Sequence, residues 1–110
     1  MSKYLFIESR DPFETNDVRD CYHLIKDLSD SGHDVVLFLV QNGVFAARKK
    51  CKNSELDELL KKENIHVYAD DYSIDERGIN KESVYSQINV TGMDTLVDFT
   101  MEDGRKPIWH

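Results

Sequence analysis

Short apolar runs alternate with amphipathic helical patterns along the chain, and this alternation predicts an α/β fold. The first run, residues 3–8 (KYLFIE), predicts an opening β-strand. The second, residues 33–40, is apolar at every position from Val35, which is typical of a central parallel strand covered by helices on both faces. Pro107 places the last predicted strand at a sheet edge, because proline cannot donate to a ladder. The three later strands are predicted at residues 65–69, 89–92 and 104–110.

Helical periodicity fills the intervals between these strands. Between the first two, apolar residues recur at steps of three and four, which predicts a helix with one buried face. Ser31-Gly32 ends that helix, since glycine suits the left-handed position after a helix. The buried stripe comprises Val18, Cys21, Tyr22, Ile25 and Leu28. Further helices are predicted at residues 44–50, 55–63, 80–88 and 93–101, the second capped by Asn53-Ser54 and the third by Asn80.

The resulting order, β-α-β-α-β-α-β-α-β, predicts a three-layer α/β/α sandwich around a mostly parallel five-stranded sheet. At 110 residues, the chain is predicted to form a single domain, residues 1–110. In such sheets, ligands collect at the carboxyl ends of the strands. Those ends are predicted at residues 8–10, 41–43, 70–78 and 91–92.

Charge and composition exclude several classes of function. The net charge of −7 argues against nucleic-acid binding, and the one basic run, residues 48–50 with Lys52, is interpreted as a solvated helix face. No long apolar run predicts a secretory signal or a membrane-spanning helix. The two cysteines, Cys21 and Cys51, form no CxxC motif and are interpreted as free thiols in a reducing cytoplasm.

Motifs for cofactors and metals are also absent from the sequence. No GxGxxG or GxxxxGK[ST] loop follows a predicted strand, so no nucleotide cofactor is expected. The acidic segment 70–78 is predicted to be a loop, and its spacing does not match a calcium-binding EF-hand because position twelve is Lys81. The histidines show no HxxxH or HExxH spacing, so no metal is expected. The four histidines, His23, His33, His66 and His110, are interpreted as surface or strand-flanking residues.

Both cysteines have a structural interpretation. Cys21 falls on the apolar stripe of the first helix, where a cysteine acts as a small hydrophobic residue. Cys51 lies among Lys49, Lys50 and Lys52, which would favour a reactive thiolate. Its helical spacing with Val44 and Ala47 instead favours a packed, unreactive side chain.

Arg77 carries two alternative interpretations, and both follow from its place in the acidic segment. Its guanidinium could clamp an anionic substrate at the carboxyl end of the third strand. It could equally form an ion pair with Asp70, Asp75 or Glu76.

Three stretches together resemble the DsrE/DsrF-like superfamily, which includes the YchN-type proteins and the Tus sulfur-relay subunits. They are KYLFIES, VVLFLVQNGVFAARK and the third strand running into DERGI, and the resemblance covers nearly the whole chain. It implies a flavodoxin-like or Rossmann-like α/β/α domain that assembles into trimers or hexamers and acts in sulfur trafficking or sulfur oxidation. In the catalytic members, a cysteine between the third strand and the Arg-Gly pair accepts a persulfide sulfur and passes it to a partner protein.

The present chain departs from that pattern, because residues 69–78 (ADDYSIDERG) contain no cysteine. The resemblance places the family cysteines near Ser73 and Asp70, and a serine hydroxyl cannot carry a persulfide. The leading hypothesis is therefore a non-catalytic subunit or binding module, either a homo-oligomer or a hetero-oligomer with related subunits. One rival is a persulfide carrier that uses Cys51. A second is an oligomer that binds a small ligand at the strand ends, with candidate residues Asn42, Gly43, Asp70, Tyr72, Ser73, Arg77 and Gly78.

The last candidate is Trp109, a large aromatic residue close to the end of the sequence. Because chain ends fray unless they are docked, and because tryptophan is enriched at interfaces, we expect Trp109 to pack against its own domain edge or a neighbouring subunit.

Overall fold

Five parallel strands form one sheet in the order β4-β3-β2-β1-β5. The computed structural model describes residues 1–51 and 53–110, so Lys52 of the predicted basic run lies outside the described residues. The strands are β1 (Lys3–Glu8), β2 (Asp34–Leu39), β3 (Ile65–Asp70), β4 (Asn89–Thr91) and β5 (Arg105–Trp109). The helices are α1 (Asp17–Asp30), α2 (Ser54–Leu60), α3 (Asp71–Glu76) and α4 (Met93–Met101), with 3₁₀ segments at Gln41–Ala47 and Lys81–Ser83. The predicted α/β fold is confirmed.

The sheet is covered on both faces, as a central apolar strand requires. On one face, side chains such as Phe6 and Leu37 join a core with α1 and α2. On the other, Leu5 and Phe38 pack with Leu96 of α4. Because side chains alternate along a strand, the apolar run of β2 supplies both cores. No helix in the described part of the chain is long and apolar enough to cross a membrane.

The first helix follows its predicted pattern closely. The predicted stripe residues Val18, Cys21, Tyr22 and Ile25 are buried. At the C-terminal end, Gly32 has φ +88° and its N–H donates to the carbonyl of Ser29. This left-handed glycine closes α1 and lets the chain turn into β2.

Two predicted helices are wrong, and one long-range pairing explains both. Residues 44–50 were predicted to be helical, but the 3₁₀ segment ends at Ala47 and Arg48 is extended. Residues 80–88 were predicted to be helical, but only the single turn Lys81–Ser83 forms, capped by the Asn80 side chain. Arg48 instead makes an antiparallel bridge with Val84. Pairing between segments distant in sequence therefore overrides the local helical pattern of both.

The acidic segment after β3 is also not the predicted loop, because most of it forms helix α3. The carboxylate of Asp70 accepts a hydrogen bond from the N–H of Ser73, which caps the first turn. Asp71 begins the helix. An aspartate at the N-cap thus converts a strand end into a helix start.

Arg105 anchors β5 beside β1 at the other end of the sheet. Its guanidinium is almost fully buried and pairs with Asp34 at 2.8 Å and with Glu102 at 3.1 Å. It also donates to the carbonyl of Tyr4 at 3.0 Å. The hydrogen bond from Lys3, followed by that from Arg105, lowers the pKa of Glu102. These contacts hold β5 as the edge strand predicted for Pro107.

The carboxyl ends of β1 and β2 approach each other closely at Gly43. A Cβ atom at this position would overlap the backbone carbonyl oxygen of Glu8. The same carbonyl accepts the N–H of Val40 at 2.9 Å. Only glycine fits here, because both neighbours are backbone and cannot rotate away.

We expect Gly43→Ala to lower the free energy of unfolding by more than about 3 kcal/mol, because the added methyl group must displace backbone. Gly78→Ala is the matched control, because Gly78 has φ +65° but open space around it. That variant should cost only about 1 kcal/mol of backbone strain. Urea unfolding followed by circular dichroism measures both, and equal losses would contradict the proposed overlap.

Candidate functional site

Four of the predicted site residues meet where β2 and β3 end. We call Asn42, Asp70, Ser73 and Arg77 the strand-end cluster. The 3₁₀ segment after β2 carries Asn42, while Asp70 ends β3 and α3 carries Ser73. Parallel neighbouring strands bring these termini to one edge of the sheet.

Ser73 lies at the centre of the cluster, and its hydroxyl makes two hydrogen bonds within the protein. The hydroxyl donates its proton to Asp70 Oδ2 at 2.6 Å. It accepts the backbone N–H of Gln41 at 2.9 Å. Only 4% of the residue is exposed. The hydroxyl therefore connects the end of β2 to the end of β3.

The bond from Gln41 to Ser73 also supports a strained backbone. Gln41 has φ +50°, a left-handed conformation that disfavours residues other than glycine. This conformation turns the chain directly from β2 into the 3₁₀ segment. The Ser73 hydroxyl therefore holds the backbone at the end of β2 against the end of β3.

Asp70 is buried, and one of its two carboxylate oxygens carries the contacts described above. Oδ2 accepts from both the N–H and the hydroxyl of Ser73. Oδ1 has no hydrogen-bond partner among the described residues. The carboxylate thus joins β3 to α3 and keeps one acceptor unused.

Arg77 connects α3 to the segment after β2. Its Nε donates to the Asn42 Oδ1 at 3.1 Å, and one terminal nitrogen donates to the carbonyl of Ser73 at 3.2 Å. The guanidinium carbon lies 6.0 Å from the centre of the Phe45 ring. Of the three predicted ion-pair partners, only Glu76 lies within ion-pair distance, at 3.7 Å. These contacts support the structural interpretation of Arg77.

The remaining strand-end candidates have simpler surroundings. Gly78 ends α3 in a left-handed conformation, and Ile79 donates its N–H to the carbonyl of Ile74. The RGI sequence is thereby a Schellman helix end. Tyr72 is 65% exposed. Gly43 allows the backbone after β2 to approach the carbonyl of Glu8 in β1.

The structure brings neither cysteine into the cluster. Cys51 is half-buried after the Arg48–Val84 bridge and lies outside the cluster. Burial first, and then the hydrogen bond with Asp57, raises the pKa of Tyr85 to about 12. Cys21 is buried as predicted. Burial, and then the charge of Glu8, raises the pKa of the Cys21 thiol to about 12, so it stays protonated near neutral pH.

An open cleft of about 280 Å³ adjoins the strand-end cluster and gives it access to small molecules. Asn42 is the one cluster residue that lines it, opposite Ser9 and Arg10 at the end of β1. Amide, hydroxyl and guanidinium groups can orient a polar ligand, but they supply no sulfur atom for a persulfide.

The family assignment follows from a comparison of the whole sequence with known families. The model of the DsrE/DsrF-like family matches residues 2–106. The chain belongs to the DsrE/DsrF-like family. The predicted resemblance is thereby confirmed, although no curated protein matches the sequence at a significant level.

Solved structures show the same fold for this DsrE/DsrF-like protein. The YchN protein from E. coli is 20% identical with a TM-score of 0.83, over 98% of this chain and 100% of that one. MTH1491 from Methanobacterium thermoautotrophicum, described as a protein of unknown function, is 16% identical with a TM-score of 0.82, over 100% of both chains. At these identities, the similarity establishes the architecture.

One group of residues in this DsrE/DsrF-like protein escaped the sequence analysis. The side chains of Glu8 and His110 meet at 2.7 Å beside Cys21 on α1. His110 was interpreted only as a surface or strand-flanking residue, and Glu8 only as part of a strand end. The sequence signal for this group is the alternation of side chains along a strand. Glu8 lies two residues after Phe6 and His110 two residues after Ile108, so both fall on the same face of neighbouring strands.

We expect Ser73→Ala to reduce the free energy of unfolding by about 1–3 kcal/mol, because it leaves Asp70 and the Gln41 N–H buried without their partner. Ser86→Ala is the control, since the Ser86 hydroxyl is exposed and bonds only to its neighbour Gln87. Urea unfolding measures both variants. A Ser73→Ala variant as stable as the wild type would contradict the structural role of the hydroxyl.

Proposed function

We propose that this chain is a binding subunit of a sulfur-relay type assembly that does not carry sulfur at the α3 position. The observation that carries the proposal is the burial and hydrogen bonding of Ser73. Where the resemblance places a persulfide-bearing cysteine, the chain has a buried serine whose hydroxyl bonds to Asp70 and Gln41. The scaffold is that of the family, while the reactive atom is absent from this position.

The surroundings of Ser73 support the same conclusion. A persulfide carrier needs an exposed thiolate close to positive charge or hydrogen-bond donors. Ser73 is buried, and its nearest charged group is the Asp70 carboxylate. A negative charge beside a thiol disfavours the thiolate, so this environment opposes the chemistry as well as lacking the sulfur.

The two existing thiols offer no better acceptor. Cys21 is buried and protonated, and Cys51 is half-buried and outside the strand-end cluster. Both are free thiols, which is in keeping with a reducing cytoplasm, and we include that location in the proposal.

We expect the folded protein to gain no sulfur atom from a small-molecule persulfide donor. Intact-mass spectrometry before and after incubation measures the adduct. The same chain in concentrated urea is the positive control, because both thiols are then exposed and should react. A sulfur adduct on the folded wild type that is lost in Cys51→Ser would overturn the proposal and favour the persulfide carrier.

The second part of the proposal is assembly with further copies of this chain, through one exposed apolar surface. Helix α4 exposes Met93, Val97 and Met101 at successive intervals of four residues, which places them on one face. Trp109 is 62% exposed and pairs in register with Ile7, whose side chain belongs to the core beneath α4. The α4 surface, defined as these four exposed residues, thus lies on one side of the sheet.

Burial of the α4 surface would contribute favourably to the free energy of association. Exposed Val97 and Trp109 would lose water on contact, and large aromatic residues contribute strongly at interfaces. The family resemblance implies trimers or hexamers, and a second copy presents the same apolar stripe. The interaction of Trp109 with its own domain leaves most of the ring available for this contact.

We expect the wild type to form an oligomer in solution and Val97→Glu to dissociate it, because a charge in the α4 surface would be buried on assembly. Leu24→Glu is the matched control, since Leu24 is similarly exposed but lies on α1 at the opposite face. Light scattering after gel filtration measures the masses. A monomeric wild type, or a Val97→Glu variant of unchanged mass, would contradict assembly through this surface.

A further inference from the structure

A second group of polar side chains lies at the carboxyl edge of the sheet, separate from the strand-end cluster. We call Glu8, Cys21 and His110 the switch-point cluster. One donor atom from each, a carboxylate oxygen, Sγ and an imidazole nitrogen, lies within 4.8 Å of the other two. The three residues come from β1, α1 and the residue after β5.

The position of the cluster within the topology favours ligand binding. From β1 the chain builds β2, β3 and β4 on one side, and then crosses to place β5 on the other side of β1. The order of strands therefore reverses between β1 and β5. In open α/β sheets, ligands bind outside the carboxyl ends of the strands at this reversal.

Glu8 is completely buried, and a buried carboxylate needs hydrogen-bond partners to offset the loss of water. Its Oε1 contacts His110 Nδ1 at 2.7 Å, and its Oε2 accepts the N–H of Arg10 at 3.1 Å. Backbone bonds hold His110 in place, since its N–H donates to Ile7 at 2.8 Å and its carbonyl accepts from Ser9 at 3.0 Å. The carboxylate and the imidazole are thus positioned before any ligand arrives.

A buried donor without a partner adjoins the same cluster. The Tyr22 hydroxyl has no hydrogen-bond partner in the described part of the chain. Tyr22 directly follows Cys21 on α1, and the residue is almost completely buried. A buried hydroxyl normally has a partner, so its isolation indicates a missing group at this point.

Access to the cluster is open from one side. A cleft of about 310 Å³ is lined by Cys21 and His110, and two aspartates, Asp17 and Asp20, also border it. Carboxylates beside an entrance raise the local concentration of cations. The cleft provides an entry path and room for a water molecule as a further ligand.

We propose that Glu8, Cys21 and His110 bind a divalent transition metal of the zinc type. The mixture of oxygen, sulfur and nitrogen donors matches the ligands of Zn²⁺, which takes four ligands at about 2.0–2.3 Å and so needs donors roughly 3.3–3.8 Å apart. The present separations, 2.7 Å between Glu8 Oε1 and His110 Nδ1 and at most 4.8 Å within the cluster, bracket this range, so the side chains adjust when the metal binds. The fourth ligand is a water molecule from the cleft.

Binding balances charge and protons without any redox partner. The Cys21 thiol releases its proton to solvent, so that the thiolate and the Glu8 carboxylate neutralise the dication. The neutral imidazole of His110 binds through Nδ1 and carries its proton on the other nitrogen. The metal takes the place of the hydrogen bond between His110 and Glu8.

Cobalt titration tests the proposal on the full, untagged chain. We expect one Co²⁺ per chain, a thiolate-to-cobalt charge-transfer band and the visible bands of a tetrahedral site, all removed by added Zn²⁺. Cys21→Ser should abolish the charge-transfer band. His110→Gln should weaken binding at least about 100-fold, because it removes a ligand.

Matched controls separate this cluster from other candidate ligands. Cys51→Ser and His66→Gln should bind cobalt as the wild type does, since neither residue belongs to the cluster. His110→Gln keeps the test valid if Cys21→Ser fails to fold, because His110 is partly exposed at the end of an edge strand. Absence of the bands in the wild type, their persistence in Cys21→Ser, or their loss in Cys51→Ser would each overturn the proposal.

Discussion

The contact between Gly43 and the carbonyl of Glu8 determines the geometry of the whole carboxyl edge of the sheet. It leaves no room for a side chain at Gly43, and the same carbonyl accepts the N–H of Val40. The chain must therefore turn sharply at Gln41, whose left-handed conformation depends on the hydroxyl of Ser73. The side chain of Glu8 extends from the same point toward β5, so one residue orients both groups of polar side chains at this edge.

Much of the fold could be predicted because its signals are local. The strands and the helices α1, α2 and α4 follow from apolar periodicity and caps such as Asn53. The errors at residues 44–50 and 80–88 arise from the bridge between Arg48 and Val84, which no local pattern reveals. Helix α3 was missed for a different reason. Its aspartates were interpreted as the composition of a loop, although Asp70 and Ser73 have the spacing of an N-cap and its helix.

The two sites differ in how far sequence could predict them. Asn42, Ser73 and Arg77 meet because they follow neighbouring strands, and a strand order of this type predicts that proximity. The hydrogen bonds among them depend on particular rotamers and could not be predicted. Glu8 and His110 lie at opposite ends of the sequence, and they meet only because β5 pairs with β1. That pairing has no local signal, so the histidine spacing was uninformative.

The two groups of polar side chains at this edge differ in their contacts and in their donor chemistry. On the β2–β3 side, Ser73 donates its proton to Asp70, and Arg77 donates to Asn42 and to the carbonyl of Ser73. These hydrogen bonds lie within the protein and stabilise the scaffold. A buried polar atom without a partner among the described residues occurs in both regions, Asp70 Oδ1 at the end of β3 and the Tyr22 hydroxyl on α1, and each costs free energy unless something else binds there. A protein tolerates such a cost most readily where a ligand removes it. Donor chemistry then distinguishes the two sides, because only the β1–β5 side, among the described residues, brings a carboxylate, a thiol and an imidazole within 4.8 Å of one another.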